Sequence, residues 1–138
     1  MRFFLTGHTG FKGAWLTKIL LSQGNDVYGY SLPAESDSLF EKLGLATRIS
    51  GHTEADIRNA KHLDMSIITA DPDVVIHLAA QPLVLRGYED PHETFTTNVD
   101  GTLNLLSAVS QLRNDPVVLI VTTDKVYRPS TKSKHVET

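Results

Sequence analysis

Cysteine is absent from the 138-residue chain, and that one absence excludes disulfides, thiolate metal sites and thiol nucleophiles together. A charge excess of one sign is lacking too: 13 Lys and Arg stand against 16 Asp and Glu, a formal net charge of -3. The cations are scattered and form no basic helix face, so a nucleic-acid backbone has no electrostatic footprint on this chain. Long apolar runs are also missing at the start, where Met1-Arg2-Phe3-Phe4-Leu5 gives way at once to Thr6-Gly7. That stretch is too short for a signal-peptide core or a spanning helix, so no membrane partner is expected and the cytoplasm is the expected compartment. The six histidines show no paired metal-ligand spacing, and no metal is expected. No internal repeat or low-complexity tract is visible. What is there is an ordinary globular composition, 41% hydrophobic and 21% charged, at the length of one domain.

The apolar runs alternate with segments of helical spacing, the order expected of successive strand-helix-strand units and a parallel sheet. Phe3 to Thr6 reads as a first buried strand, and Ala14 to Gln23, with Trp15, Leu16, Ile19 and Leu20 at helical spacing, as a first helix closed by Gly24. Asp26 to Tyr30 reads as the second strand, followed by a loop through Pro33 and a short helix around Leu39 to Leu45. A third strand is placed between Thr47 and Ala55, where Ile49 is the one strongly β-favouring apolar residue. Helical spacing resumes near Ala60 and ends at Asp71-Pro72-Asp73. Val74 to Ala80 is the continuous apolar run of a strand covered on both faces. Pro82 and Pro91 bracket a loop, Glu93 to Leu112 reads as one long helix, and Val117 to Val121 as a fifth strand. The fold expected is a Rossmann-type doubly wound sheet of order 3-2-1-4-5 over residues 1–127, with a polar, frayed tail over 128–138.

Thr6-Gly7-His8-Thr9-Gly10-Phe11-Lys12-Gly13 joins a buried strand to a helix, the context in which a glycine cluster becomes a phosphate loop. The first glycine permits the tight turn, the second lets backbone approach a pyrophosphate, and the third allows close helix packing. Free N–H groups at the helix start then bind phosphate oxygens. The spacing is Gly-x-x-Gly-x-x-Gly, and no Gly-Lys-Ser or Gly-Lys-Thr follows, which argues against a nucleoside-triphosphate P-loop. The position after the second strand, where an acid commonly holds the adenosine ribose, is Ser31, with Glu35 and Asp37 later in the loop. No Arg or Lys lies nearby for a 2′-phosphate, so NAD is favoured over NADP.

Five motifs in order carry a resemblance: the glycine loop, Ala55-Asp56-Ile57-Arg58, His77-Leu78-Ala79-Ala80-Gln81-Pro82-Leu83-Val84, Thr97-Asn98-Val99-Asp100-Gly101-Thr102 and Thr122-Thr123-Asp124-Lys125-Val126-Tyr127. Together they resemble the extended short-chain dehydrogenase/reductase family. Within it the likeness is nearest to the 4,6-dehydratases that act on CDP-glucose in deoxysugar biosynthesis, on account of Lys125 and the Gln81 to Val84 stretch. The resemblance implies a cofactor set of Gly7, Thr9, Gly10, Phe11, Lys12, Gly13 and Ser31, with Asp56 and Ile57 at the adenine. It also implies Leu78, Ala79, Ala80 and Gln81 along the cleft, and Asn98 shaping the long helix. Asp56 has a purely structural alternative as a helix N-cap, and His8 and His77 read as structural.

The chemistry implied by the likeness is oxidation at C4 of the glucose by NAD, elimination of water across C5 and C6, and return of the hydride at C6. Asp124 is then the candidate acid for the C6 hydroxyl, Lys125 the candidate base at C5, and Thr123 a hydrogen-bonding group near the C4 oxygen. Such a lysine must be neutral, with its pKa lowered by desolvation or neighbouring positive charge. The family's hydride step uses a Tyr-x-x-x-Lys pair, whereas Tyr127 is followed four residues on by Thr131. The expectation is therefore a fragment without dehydratase turnover alone, whose exposed fifth strand and long helix favour self-association or a homodimer. Two alternatives stand beside it: a nucleotide-sugar epimerase or reductase of the same superfamily, and a non-catalytic dinucleotide-binding module.

Overall fold

A computed structural model describes residues 1–123. Five strands form one parallel sheet in the order β3-β2-β1-β4-β5. They are β1 (Arg2–Thr6), β2 (Asp26–Ser31), β3 (Gly51–Glu54), β4 (Val74–His77) and β5 (Val117–Ile120). The register puts Thr6 beside Tyr30 on one side and His77 on the other, so all these strands end at one edge. The order reverses between β2 and β4 about β1, and that reversal opens the crevice in which sheets of this kind bind ligands.

Alternation along the strands sorts the core into two faces. Phe4, Tyr30 and Val75 point toward α3 (Ala60–Ala70) and α6 (Gly101–Val109), where Leu63, Ile67 and Leu105 are fully buried. Leu5, Val27 and Ile76 point the other way, toward Leu20 of α1 (Phe11–Ser22). Ala14 of α1 also packs with Phe40 of α2 (Leu39–Lys42) and with Leu45. β5 follows the same rule with a different outcome: Val118 and Ile120 pack on the α3/α6 core, while Val117 and Leu119 are 67% and 53% exposed on the α1 side.

The third strand falls inside the expected Thr47 to Ala55 segment, starting at Gly51, while Ile49 itself packs under α1. Elsewhere the structure departs from the sequence reading. Residues 78–80 leave the sheet, so β4 stops at His77. The stretch between Pro82 and Pro91 is no plain loop but contains α4 (Val84–Glu89). The single long helix is a continuous helical path in three parts: α5 (Pro91–Phe95), a π-helical turn over Thr96–Asp100, and α6. The expected domain boundary at 127 and the tail after it lie outside the described residues, as do Asp124 and Lys125.

Candidate functional site

The glycines of the β1–α1 crossing answer three different demands. Gly7 has φ +73°, and a Cβ there would come within 2.7 Å of the Ala79 nitrogen and 2.8 Å of the Leu78 carbonyl carbon. It lets the loop cross the exit of β4, in a left-handed conformation that L side chains rarely adopt. Gly13 would drive a Cβ to 2.2 Å from the Gly7 carbonyl oxygen, so what it packs against is the loop's own backbone. Gly10 is different: its φ of -71° suits any residue, and the nearest atom to an added Cβ is 3.4 Å away. Gly10 therefore keeps space open rather than relieving a contact inside the protein.

Helix α1 starts directly after Gly10, earlier than the sequence reading placed it. Its first intrahelical bond runs from the Ala14 N–H to the Gly10 carbonyl, no side chain caps the N-terminus, and no acid lies in the first turn. Phe11, Lys12 and Gly13 thus begin the helix at its positive end, which favours an anion. Phe11 is itself 75% exposed. A bare helix start, beside a glycine that keeps room for a ligand, fits the diphosphate of a dinucleotide.

Thr9 and Ser31 lock the far side of the loop. The Thr9 hydroxyl lies 3.0 Å from the Leu32 carbonyl, which can only accept, so Thr9 donates there and the Ser31 hydroxyl donates to Thr9 at 2.7 Å. Ser31 sits at the end of β2 as expected, with its proton committed and its lone pairs left to accept.

Below the loop, His8 is fully buried. Its ring stands over Gly29, where a Cβ would be 2.4 Å from it, and packs edge-on against Phe40. His8 Nε2 lies 2.8 Å from His52 Nδ1, and His52 Nε2 lies 3.4 Å from Glu54. Burial first, and the neighbouring His52 second, lower the His8 pKa to about 4, so the ring is neutral at pH 7. Sequence reading missed this pair because 44 residues separate its members.

Asp56 and Ile57 come together beyond β3. The Asp56 carboxylate accepts from the Arg58 backbone N–H at 2.9 Å and from its guanidinium, and that pairing lowers the carboxyl pKa. The N-cap of α3 is Asn59, which accepts from the His62 N–H, so the capping alternative for Asp56 is corrected. Tyr30 donates its hydroxyl to the Asp56 carbonyl at 3.0 Å, and burial pushes the phenol up to about 12. Ile57 is buried against Gly101, where a Cβ would be 2.6 Å from its methyl group. Gly101 thus admits the loop that carries Ile57 against α6, a role that its place inside a helical pattern did not reveal.

At the β4 exit, side chains hold the main chain. Asn98 accepts from the Gln81 N–H at 2.8 Å and donates to the Gln81 carbonyl at 3.1 Å, clamping both sides of that residue. Gln81 in turn donates to Thr94 at 2.7 Å and accepts from the Leu83 N–H at 2.7 Å. Leu78, Ala79 and Ala80 run between Gly7 and this clamp. Thr123 lies three residues beyond β5 at the same sheet edge and is exposed. Among the described residues no group of three or more His, Cys, Asp or Glu could hold a metal ion, and no helix is long and apolar enough to cross a membrane.

Comparison with known proteins follows this geometry. The family model described as GDP-mannose 4,6 dehydratase matches residues 4–138. The chain is 47% identical over 127 residues to the CDP-glucose 4,6-dehydratase of Salmonella typhimurium, covering 91% of this chain and 35% of that protein. It is 34% identical over 143 residues to the CDP-paratose 2-epimerase of Salmonella typhi, covering 100% of this chain and 41% of that one. Among solved structures, the UDP-glucose-4-epimerase of Stenotrophomonas maltophila, with bound NAD and formylated UDP-arabinopyranose, superposes with a TM-score of 0.78 at 25% identity. That superposition covers 95% of this chain and 39% of the epimerase. The chain therefore spans well under half the length of the relatives it matches.

Proposed function

The chain belongs to the GDP-mannose 4,6 dehydratase family, within the extended short-chain dehydrogenases/reductases, and from that premise we propose that it is the NAD-binding part of a CDP-glucose 4,6-dehydratase. The observation that carries the cofactor half of this reading is the β1–α1 crossing. Gly7 and Gly13 are required by the protein's own backbone, whereas Gly10 has an ordinary φ and only the Gly7 carbonyl oxygen, at 3.4 Å, near an added Cβ. That open space lies at the uncapped start of α1, where a diphosphate fits. Thr9 and Ser31 hold the loop, with Ser31 placed to accept from a ribose hydroxyl. Ile57 and Asp56 offer main-chain and carboxylate partners to adenine, and Leu78 to Gln81 form the opposite wall.

NAD supplies the hydride acceptor at C4 of the sugar and the donor at C6. The chain's own groups handle the protons at C5 and C6, whereas the C4 hydroxyl proton falls to the tyrosine of the family's Tyr-x-x-x-Lys pair, which has no match among the 138 residues. By the family likeness, Thr123 hydrogen-bonds the C4 oxygen, Lys125 removes the C5 proton made acidic by the C4 ketone, and Asp124 protonates the departing C6 hydroxyl as water. Atoms balance as CDP-glucose giving CDP-4-keto-6-deoxyglucose and water. The identity to a CDP-glucose 4,6-dehydratase and the Thr123-Asp124-Lys125 triplet support this substrate. The match to a CDP-paratose 2-epimerase along the whole chain favours a second reading, an epimerase acting on a related nucleotide sugar. Self-association belongs to the same proposal, with Phe95, Val99, Leu103 and Leu106 forming an exposed stripe along the helical path.

Calorimetric titration with NAD, followed by product analysis after addition of CDP-glucose, separates these readings. NAD binding without turnover fits a cofactor part acting within a longer protein. A 4-keto-6-deoxy product establishes the dehydratase, and inversion of a sugar carbon establishes the epimerase. Absence of NAD binding overturns the cofactor reading.

A further inference from the structure

His77, read from sequence as merely structural, ends β4 with its ring buried and both nitrogens engaged. Nδ1 lies 2.6 Å from the Thr6 hydroxyl, and Nε2 lies 3.0 Å from the Thr102 hydroxyl. The direction of every proton in this chain of contacts follows from chemistry. Thr102 Oγ1 is 2.7 Å from the Asn98 carbonyl, which can only accept, so the single Thr102 hydroxyl proton is committed to that bond. Toward His77 the same oxygen can only accept, and the ring must therefore carry its proton on Nε2. A neutral imidazole protonated there has a bare Nδ1, to which Thr6 donates. The Thr6 oxygen then uses its lone pairs to accept from the N–H groups of Leu78 at 3.2 Å and Ala79 at 3.3 Å.

The wire thus runs from the Leu78 and Ala79 amides through Thr6, His77 and Thr102 to the Asn98 carbonyl, with one direction throughout. An imidazolium would reverse its first half. Nδ1–H would face Thr6, whose oxygen would meet three donors while its own proton lost its acceptor. Burial lowers the His77 pKa, in the direction that keeps the ring neutral.

Its two ends lie at the two parts of the proposed cleft wall that leave regular sheet and helix, the exit of β4 and the π-helical turn. Thr6 immediately precedes Gly7, and the amides it receives belong to the residues that Gly7 crosses. Asn98 lies in the π-helical turn, where the backbone register shifts by one residue, and its side chain grips both sides of Gln81. A rigid bond network joins the two. We propose that His77, as a single Nε2–H tautomer, is a positioning residue that sets the β4 exit and the Asn98–Gln81 clamp in register with the glycine loop, with Thr102 as its obligatory partner. This rests on the cofactor reading above, since the walls so positioned are those of the NAD cleft.

Two measurements test it. Nitrogen NMR of the wild-type histidines at pH 7 should show His77 as the neutral Nε2–H tautomer with no cofactor added; the Nδ1–H form or an imidazolium overturns the proposal. Thr102→Val keeps the volume and removes both the acceptor and the donor, and should weaken NAD binding about ten-fold in calorimetry while the protein stays folded, with Thr102→Ser restoring most of it. A folded Thr102→Val with wild-type affinity overturns the positioning role and leaves the cofactor reading standing. Wild type that binds no NAD overturns the cofactor reading, and the positioning role with it. Should Thr102→Val fail to fold, His77→Gln, which keeps an amide near Nε2 and loses Nδ1, gives the same comparison; its unchanged affinity overturns the proposal.

Discussion

The two walls of the cleft are built on opposite principles. At the β1–α1 crossing the main chain makes the proposed site, and the side chains there are chiefly absent: Gly7, Gly10 and Gly13 matter for what they leave out. At the β4 exit the main chain leaves the sheet after His77, and side chains from Thr6, Asn98, Thr102 and Gln81 hold it by hydrogen bonds. The first wall should therefore be intolerant of added atoms, and the second of removed polar ones.

Adding atoms gives the largest effect. Gly13→Ala places a methyl 2.2 Å from a backbone oxygen, and a loss of about 3 kcal/mol or more is expected in urea melts. Gly10→Ala, at an ordinary φ with no atom nearer than 3.4 Å, should melt like wild type. Equal losses at the two positions would erase the distinction between backbone glycine and ligand glycine.

Acid breaks the comparison from beneath the loop. His8 stays neutral in the folded protein until about pH 4, while its unfolded counterpart takes a proton near 6.5. Stability is therefore full above pH 6.5 and falls as the pH drops toward 4, by roughly 3 kcal/mol, because only the unfolded state gains the proton in that window. His77, also lowered by burial, adds in the same direction. Denaturant melts across pH 4 to 8 check the slope, and a flat curve would mean that His8 and His52, with Glu54 beside them, accept the charge without cost.

On the second wall, Asn98→Ala should cost about 1–3 kcal/mol, since it leaves the Gln81 N–H and carbonyl without their clamp. Asn98→Asp keeps the acceptor and loses the donor, and should fall between alanine and wild type in thermal melts. The smallest effect is expected at Asp56→Asn. Its partner Arg58 is partly exposed, and an ion pair of that kind is worth about 1 kcal/mol or less.

The same contrast explains what was legible in the sequence. The sheet order, the glycine loop and the helices at α1 and α3 follow from local patterns, apolar runs and helical spacing. β3 was legible only as a weak strand somewhere between Thr47 and Ala55, because Gly51-His52-Thr53-Glu54 has little strand preference; β2 pairing makes it a strand, and Gly51 gives way to the Tyr28 ring. α4 hid between two prolines with Gly87 inside it. The π-helical turn left no trace, because Phe95, Val99 and Leu103 keep an i, i+4 spacing through it. The polar contacts that build the second wall join residues 13, 17, 25 and 71 positions apart, and no single-sequence pattern encodes such pairs. Thr9, Ser31, Gln81 and Asn98 were named from the sequence, but not the hydrogen bonds that pair them.

Under the proposed function, main-chain amides at the start of α1 receive a dinucleotide diphosphate through the space that Gly10 keeps free. Calorimetric titration of NAD into wild type and into Gly10→Leu, each first shown to melt cooperatively, tests it most directly. Measurable affinity is expected in the wild type, with a loss of at least about a hundred-fold in a variant that remains folded, a steric exclusion worth roughly 3 kcal/mol. Equal affinity in the two proteins would contradict it.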